Sequence, residues 1–445
     1  MVRLPLLSLL LLAAACGDPP PPPAPEEPTP DASAGTPTAA GETTTANPTG
    51  RQETDGPTPG LWKQSRRDAW ADKVERLESL GYLQGYKKRG QKQGVTLHEK
   101  DRVWTGLNLY TSGHAPEAVL MDMDGAVLHR WRCEFSTAWP DYPVRTKRRT
   151  DTQHFWRRVH LYENGDLLAI FGGFALIKVN AASEILWVYE QRAHHDLEVQ
   201  ADGSIFVLTR KARRLPRFGS NTPVVEDFVA VLTADGEEQR KVSVLECFEN
   251  SEYEFLLDQR CKGQKDPFHT NTIEVLDGAL AGRNPAFSAG RVLVSCRNFD
   301  TIAVLDLEEK TVPWASHDQW KSQHQPTVLD NGRLLLFDNL GHPGPHGRSR
   351  VVELDLSTSE IAWTYAGTQA DPFQSDICGS CIRLPNGNTL ITESDAGRAI
   401  EVDADGELLW EFVSPHRAGP GGGLIANLLE VTRLDPDFPT DWLGD

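Results

Sequence analysis

Four short polar segments interrupt apolar, strand-like stretches of this chain, and three of them carry histidine. They are Gln323-His324-Gln325, His194-His195-Asp196, Phe268-His269-Thr270-Asn271 and Ser295-Cys296-Arg297-Asn298. Imidazole is a nitrogen nucleophile and a proton carrier near neutral pH, because its ordinary pKa is about 6.5. Arginine keeps its charge and presents a planar fork of donors to anionic oxygens. If the segments converge, they supply a nucleophile, an acid–base group and an anion clamp.

The elements that must position these segments are short strands in a repeat. Six turn-and-strand units recur, and five of them end in tryptophan: Trp131, Trp187, Trp314, Trp363 and Trp410. The sixth unit starts at Asp235-Gly236 and lacks the tryptophan, and a second type of glycine turn, as at Asn164-Gly165, alternates with the first. A strand repeat of about 40–50 residues is typical of β-propellers. The sequence therefore predicts an all-β protein with a six-bladed β-propeller over residues 101–445, in which the tryptophans pack between blades and the polar segments face the axis.

The N-terminus has the pattern of an export signal. Arg3 precedes an apolar run over residues 4–12 and a small-residue stretch that ends at Cys16. This pattern resembles a bacterial lipoprotein signal over residues 1–15, with Cys16 as the lipidated residue, and an ordinary secretory signal is the alternative. The protein is therefore expected in the bacterial cell envelope, lipid-anchored on the periplasmic face or at the outer membrane, with no other contact with the membrane.

Two further segments separate this signal from the propeller. Residues 16–60 are rich in Pro, Thr and Ala and too poor in apolar side chains to offset the entropy of ordering, so they are predicted to form a disordered stalk. Residues 61–100 are predicted to be a linker with a short helix, because Trp70, Val74 and Leu77 follow a helical period.

Charge and motifs exclude several function classes. The net charge of −18 argues against nucleic-acid partners. No cofactor or metal site is predicted, because the Cys and His spacings do not form a tetrahedral zinc set and no phosphate-binding loop is present. The basic clusters 145–149 and 210–217 are either solvated loops or a rim that steers anionic substrates inward.

Six cysteines follow Cys16, and an exported chain permits disulfides. Cys247 and Cys261 bracket a polar insertion and are the predicted pair. Cys378-Gly-Ser-Cys381 has the spacing of a redox motif, but a strand follows it instead of a helix that would lower a thiol pKa, so a structural disulfide is favoured.

The polar segments and their flanks resemble a known family. Trp320, Gln323-His324 and the strand that ends at Asn339, preceded by the His269 and Arg297 segments, are similar to the bacterial aryl sulfotransferases, or arylsulfate sulfotransferases. The resemblance extends from about Val103 to Pro415. It implies a six-bladed propeller that moves a sulfuryl group between phenols in a ping-pong scheme, through a sulfohistidine and without 3′-phosphoadenosine 5′-phosphosulfate.

The resemblance also implies residue roles. His324 matches the nucleophile, His269 and Arg297 match contacts to the sulfuryl group, and one of His194 and His195 matches a further histidine, with His195 preferred. Four residues are candidate substrate contacts: His194, Asn271, Asn339 and His114. For His114 and Asn339 the alternative is support of a loop or of a neighbouring side chain.

The expected partners are small aryl sulfates and phenols, and a homodimer is compatible with the sequence. The competing interpretation is a non-catalytic envelope propeller that binds or assembles other molecules. A quinone-dependent dehydrogenase fits less well, because such propellers have eight blades.

Overall fold

The computed structural model of the chain describes residue 85 and residues 87–88, 90–142, 153–218, 223–343 and 348–444. These residues all belong to one compact unit, residues 59–445. The predicted signal, stalk, Cys16 and Trp70 helix lie outside the described residues, as does the 145–149 cluster. Among the described residues, no helix combines the length and apolar character needed to span a lipid bilayer.

Short strands joined by tight turns make up most of the described chain. The strands are β1 (Gly94–His98), β2 (Asn108–Ser112), β3 (Glu117–Met121), β4 (Val127–Arg132), β5 (Val159–Leu161), β6 (Leu167–Phe171), β7 (Ala175–Val179), β8 (Ile185–Tyr189), β9 (Ala193–Val199), β10 (Ile205–Arg213), β11 (Val224–Leu232), β12 (Glu238–Ser243), β13 (Thr270–Val275), β14 (Val292–Cys296), β15 (Thr301–Asp306), β16 (Thr311–His317), β17 (His324–Val328), β18 (Arg333–Asp338), β19 (Arg350–Asp355), β20 (Ile361–Tyr365), β21 (Ser380–Arg383), β22 (Thr389–Glu393), β23 (Arg398–Val402), β24 (Leu408–Val413), β25 (Arg417–Ala418), β26 (Leu424–Ile425) and β27 (Leu428–Arg433). Within the described ranges, three short α-helices accompany them: α1 (Phe135–Ala138), α2 (Val244–Glu249) and α3 (Phe255–Arg260).

The strands form the predicted six-bladed β-propeller. Blade 1 is β27-β2-β3-β4, blade 2 is β5 to β8, blade 3 is β9 to β12, blade 4 is β13 to β16, blade 5 is β17 to β20 and blade 6 is β21 to β24. Strands β5, β9, β13, β17, β21 and β27 each contact the next in this series, so they form the inner ring. Turns such as Asn164-Gly165 join the first two strands of a blade, and the φ of +83° at Gly165 shows why glycine is needed there.

The two ends of the domain close the ring. The C-terminal strand β27 is the inner strand of blade 1, where Arg433 pairs with Asn108 of β2. Strand β1 adds a fifth, outer strand to blade 6 by pairing with β24. Strand β1 lies in the segment predicted to be a helical linker, so the propeller sheet begins before residue 101.

The repeated tryptophans join adjacent blades, as predicted. The indole N–H of Trp131 donates to the carbonyl oxygen of Gly165 in blade 2 at 2.9 Å. In the same way, the indole N–H of Trp363 donates to the carbonyl oxygen of Ala404 in blade 6, and that of Trp410 donates to the carbonyl oxygen of Met123 in blade 1. These three outer strands are therefore tied to the turns of the neighbouring blades, which helps to fix the arrangement of the blades around the axis.

The insertion after β12 folds into α2 and α3. These helices place Cys247 and Cys261 in the apolar core beside blades 3 and 4. Neither predicted disulfide is present: all six described cysteines are free and buried. Burial raises the pKa of Cys247 and of Cys261 to about 12. Both thiols therefore act as small apolar core residues.

Candidate active site

The inner strands bring the polar segments to one end of the propeller. His194 and His195 are the second and third residues of β9, His269 immediately precedes β13, and His324 is the first residue of β17. Arg297 follows the end of β14, and its backbone N–H donates to the carbonyl oxygen of His269 at 3.2 Å. Inner strands all start at the same end of a propeller, so blades 3, 4 and 5 contribute to one site.

The ring of His324 is held in one tautomer. Its Nδ1 atom lies 2.7 Å from Oδ1 of Asn339 and 3.0 Å from the carbonyl oxygen of Ser322. The Asn339 amide cannot turn around, because its Nδ2 donates to the carbonyl oxygens of Ser375 and Cys378 at 2.8 and 2.6 Å. Both partners of Nδ1 are therefore acceptors, so Nδ1 carries the proton and Nε2 keeps its lone pair.

The surroundings of His324 also keep it neutral. The residue is only 3 % exposed, and burial, followed by the charge of Arg297, holds its pKa well below the usual range. A neutral ring with a free Nε2 lone pair beside a fixed cation can attack an electrophile that carries negative charge.

The backbone on both sides of His324 is strained and firmly held. Ser322 and Gln325 have φ of +57° and +46°, values that non-glycine residues adopt only when the surroundings impose them. Gln323 is fully buried, and its side-chain nitrogen donates to three oxygen atoms, of Ser295, Cys296 and Thr301. Asn271 Nδ2 donates to the carbonyl oxygen of Gln323 at 2.9 Å. Asn271 thus positions the His324 segment.

His269 has a carboxylate partner. Its Nδ1 lies 2.6 Å from Oδ2 of Asp266, and Nη1 of Arg210 lies 3.8 Å from the same oxygen. Burial lowers the pKa of His269, and Asp266 acts against this shift. The Asp266 carboxyl is half-buried, and the charges of His269 and Arg210 outweigh its desolvation and hold its pKa below the usual range. His269 is therefore suited to carry a proton on Nε2 while Asp266 stabilises the charged ring.

The two adjacent histidines of β9 face different neighbours. The His195 ring lies edge-on to His269, with 4.7 Å between centroids. The His194 ring contacts His195 through the two Nδ1 atoms, 2.8 Å apart, and its Nε2 lies 3.6 Å from Oδ1 of Asp227. Burial holds the pKa of both histidines well below the usual range. The His195 ring thus adjoins His269, whereas the His194 ring contacts His195 and Asp227.

His114 belongs to a separate cluster in the turn between β2 and β3. Its Nε2 lies 2.9 Å from Glu117, and its ring stacks on His416 at 3.4 Å. Among the described residues, no hydrogen bond or ring contact joins His114 to the histidines of blades 3 to 5. Two guanidinium groups, those of Arg130 and Arg132, also pair with Glu117.

The basic cluster over residues 210–217 is divided by the fold. Arg213 pairs with Glu226, and Arg217 lies between acidic residues of α2, α3 and the segment that joins them. Arg210 instead is 3 % exposed and borders a cavity of about 400 Å³ that Arg192 and Lys211 also line. Two members of the cluster are thus neutralised at the surface, and one is directed towards the histidines.

The family comparison agrees with this arrangement. Residues 158–415, more than half of the chain, match the model of the Arylsulfotransferase (ASST) family. The chain belongs to this family. His195, His269, Arg297 and His324 all lie within the matched stretch, and membership supports aryl sulfotransferase activity in general.

Three solved structures are similar to the chain at low sequence identity. A protein of unknown function from Bacteroides caccae has 13% identity and a TM-score of 0.45, over 69% of this chain and 93% of that one. A streptogramin B lyase has 12% identity and a TM-score of 0.41, over 80% and 96%. The virginiamycin B lyase of Staphylococcus aureus has 11% identity and a TM-score of 0.35, over 59% and 74%. No curated protein matches the chain.

Sequence reasoning missed several polar residues around His195, His269 and His324. The predicted site does not include Asp266, nor Arg157 and Arg158, which precede β5. Arg210 is predicted only as part of the basic cluster 210–217. A signal existed for Arg157 and Arg158: they stand before an inner strand, as His269 does in blade 4. Blade 2 lacks a histidine at this place, so the pair was not recognised.

Proposed function

We propose that the protein transfers a sulfuryl group from an aryl sulfate to a phenolic acceptor through a sulfohistidine at His324. The observation that carries the proposal is the fixed tautomer of His324: Asn339 holds the proton on Nδ1, and Nε2 is left as a nucleophile close to Arg297. Family membership supports the reaction class.

In the first half-reaction, Nε2 of His324 attacks the sulfur atom of the donor. The N–S bond forms as the bond between sulfur and the aryl oxygen breaks, and the departing oxygen takes a proton from Nε2 of His269. In the second half-reaction, His269 removes the proton of the acceptor hydroxyl, the phenol oxygen attacks sulfur, and the N–S bond breaks. Asp266 stabilises His269 whenever it carries the proton.

Charge stabilisation comes from fixed donors. The sulfuryl group spreads negative charge over three oxygens as it moves, and Arg297 presents a guanidinium that cannot lose its proton. Removal of one such preorganised donor typically costs about 2.7–4 kcal/mol of barrier. This scheme needs no nucleotide, so we propose that transfer is independent of 3′-phosphoadenosine 5′-phosphosulfate.

The test is incubation of the purified protein with 4-nitrophenyl sulfate, with and without phenol. Sustained release of nitrophenolate only when phenol is present supports a transferase, whereas equal release without phenol indicates a sulfatase. Complete absence of release supports the non-catalytic alternative. His324→Asn should abolish turnover, and His317→Asn, which changes a surface histidine paired with Asp318, should not.

The covalent intermediate has its own test. After reaction with sulfur-labelled donor and no acceptor, the label should be on the peptide that contains His324, stable to base and labile to acid. Label on another residue would contradict the assignment of the nucleophile.

We also propose that the enzyme is held in the bacterial envelope by a lipid on Cys16. The proposal is supported by the small-residue stretch before this cysteine and by the Pro/Thr-rich segment after it. Palmitate labelling that is lost in Cys16→Ser, with release of the protein from membranes, is the expected result. Unchanged labelling would refute the proposed anchor.

A further inference from the structure

Two adjacent arginines at the start of blade 2 are both buried, but only one is neutralised. Arg157 is 2 % exposed and Arg158 is 6 % exposed. Arg158 Nε lies 2.9 Å from Oδ1 of Asp196 in blade 3, and its Nη1 pairs with Glu430 in blade 1. Its Nη2 donates to Oε1 of Gln325 in blade 5 at 3.0 Å. Arg158 is therefore a structural residue that ties blades 1, 3 and 5 to blade 2.

Arg157 has no such compensation. Among the described residues, its guanidinium donates one hydrogen bond, from Nη1 to the carbonyl oxygen of Leu429, which is long at 3.4 Å, and its Nε has no hydrogen-bond partner. No carboxylate among the described residues forms an ion pair with it. Its charge acts on the carboxylate of Asp196, but that carboxylate is already paired with Arg158. A buried cation without an ion pair of its own opposes folding, so its presence requires an explanation outside the apo protein.

The position of Arg157 indicates where its charge acts. Its backbone N–H donates to the carbonyl oxygen of Ile170 at 2.8 Å, which continues the ladder of β5 to the end of the propeller that carries the histidines. Its charge is among those that lower the pKa of His324 and of His195. Arg157 is thus directed towards the same site as Arg297, although it stands one residue before the stretch matched by the family.

We propose that Arg157 is a second cationic contact for the sulfuryl group, from blade 2, in addition to Arg297 from blade 4. A sulfuryl group has three anionic oxygens, more than one guanidinium fork can satisfy, and Arg157 has unused donor capacity. The bound anion supplies the charge that Arg157 lacks. The inference rests on the proposed function for its catalytic part, but the anion site can be measured without turnover.

The first measurement is binding of inorganic sulfate by isothermal titration calorimetry. Wild-type protein should bind sulfate, Arg157→Lys more weakly, and Arg157→Met at least tenfold more weakly. Arg240→Met, which removes a surface arginine paired with Glu308, should bind as wild type does. Equal sulfate affinity of wild type and Arg157→Met would overturn the proposal.

Thermal unfolding in sulfate-free buffer separates a binding role from a structural one. Arg157→Met should unfold at the same temperature as wild type or higher, because an uncompensated charge is removed. Arg158→Met should unfold at a lower temperature, because Asp196 and Glu430 lose their partner. A large decrease for Arg157→Met, equal to that of Arg158→Met, would assign Arg157 a structural role and refute the inference.

Turnover of 4-nitrophenyl sulfate with phenol tests the catalytic part. Arg157→Met should lower kcat by about 100-fold, as expected for loss of one preorganised donor, and guanidinium ion should partly restore Arg157→Ala. If wild type turns over and Arg157→Met matches it within twofold, the inference fails and the proposed function stands. If wild type binds sulfate through Arg157 but never turns over, the proposed function fails and the anion site stands. If it neither binds nor turns over, both fail.

Discussion

The hydrogen bond between Asn339 and His324 gives a quantitative prediction. In the proposed first half-reaction the ring gains positive charge as the N–S bond forms at Nε2, and the hydrogen bond from Nδ1 to Asn339 Oδ1 becomes charge-assisted. A hydrogen bond to a charged group contributes about 1.5–3 kcal/mol, which corresponds to about 10- to 160-fold in rate at 1.36 kcal/mol per tenfold. When Asn339 is replaced by Ala, Nδ1 still has a second acceptor, the Ser322 carbonyl oxygen, which lies 3.0 Å away in the native protein. We therefore expect Asn339→Ala to slow sulfohistidine formation by a factor in the lower half of this range.

The assay is the pre-steady-state burst of nitrophenolate without acceptor, which reports only the first half-reaction. Asn339→Ala also loses the bonds of Nδ2 to Ser375 and Cys378, so stability must be controlled. Ser349→Ala is the matched control: Ser349 Oγ donates to the carbonyl oxygens of Asn339 and Ser375 but does not contact His324. It should lower the unfolding temperature and leave the burst rate unchanged. A folded Asn339→Ala protein whose burst rate is within twofold of wild type would refute the role of the tautomer.

Three further predictions concern the proton carrier, the buried histidines and the ring closure. Asp266→Asn should lower the pKa of His269 further. The variant should lose at least tenfold more turnover rate with donors that have poor leaving groups than with 4-nitrophenyl sulfate, because poor leaving groups depend on the proton from His269. An equal loss of rate with both kinds of donor would contradict an acid role for His269. Burial lowers the pKa of His160 to about 4. Between pH 6.5 and pH 4 the unfolded chain therefore binds a proton that the folded chain does not, and the free energy of unfolding falls as the pH is lowered. The expected loss at pH 5 is about 2 kcal/mol for each histidine shifted in this way. Urea unfolding at pH 7 and pH 5 measures this, and equal stability would show that these rings are not neutral in the fold. Arg433→Met should lower the free energy of unfolding, measured by chemical denaturation, by about 3–5 kcal/mol. The reason is that Arg433 and Glu401 form a fully buried ion pair between blades 1 and 6, and the carboxylate loses its counter-charge. A loss below 1 kcal/mol would mean that water or another group reaches the carboxylate.

Local patterns were sufficient to predict the architecture and to select the histidine and arginine segments that the structure brings to one end of the propeller. The glycine turn and the recurring tryptophan of each unit lie within one hairpin, so both are visible in the local sequence. Six copies of the unit indicate six blades, independently of how the blades pack together. The histidine segments at strand starts follow from the same periodicity, because inner strands of a propeller begin at one end. Arg297 reaches that end because β14, which it follows, runs antiparallel to β13. Strand β1 was not recognised, because its partner β24 lies more than 300 residues away in the sequence.

Residue types and spacing thus determined that this chain is a propeller with imidazoles and a guanidinium at one end of its axis. Only the tertiary structure decided the protonation, the charge balance and the hydrogen-bond partners of each group, because these depend on neighbours that are distant in the sequence. It placed Asn339 against His324 and Asp266 against His269, and it left Arg157 without the carboxylates that neutralise Arg158. It also left Cys247 and Cys261 as separate thiols, since spacing along the chain does not set the distance and direction between two side chains.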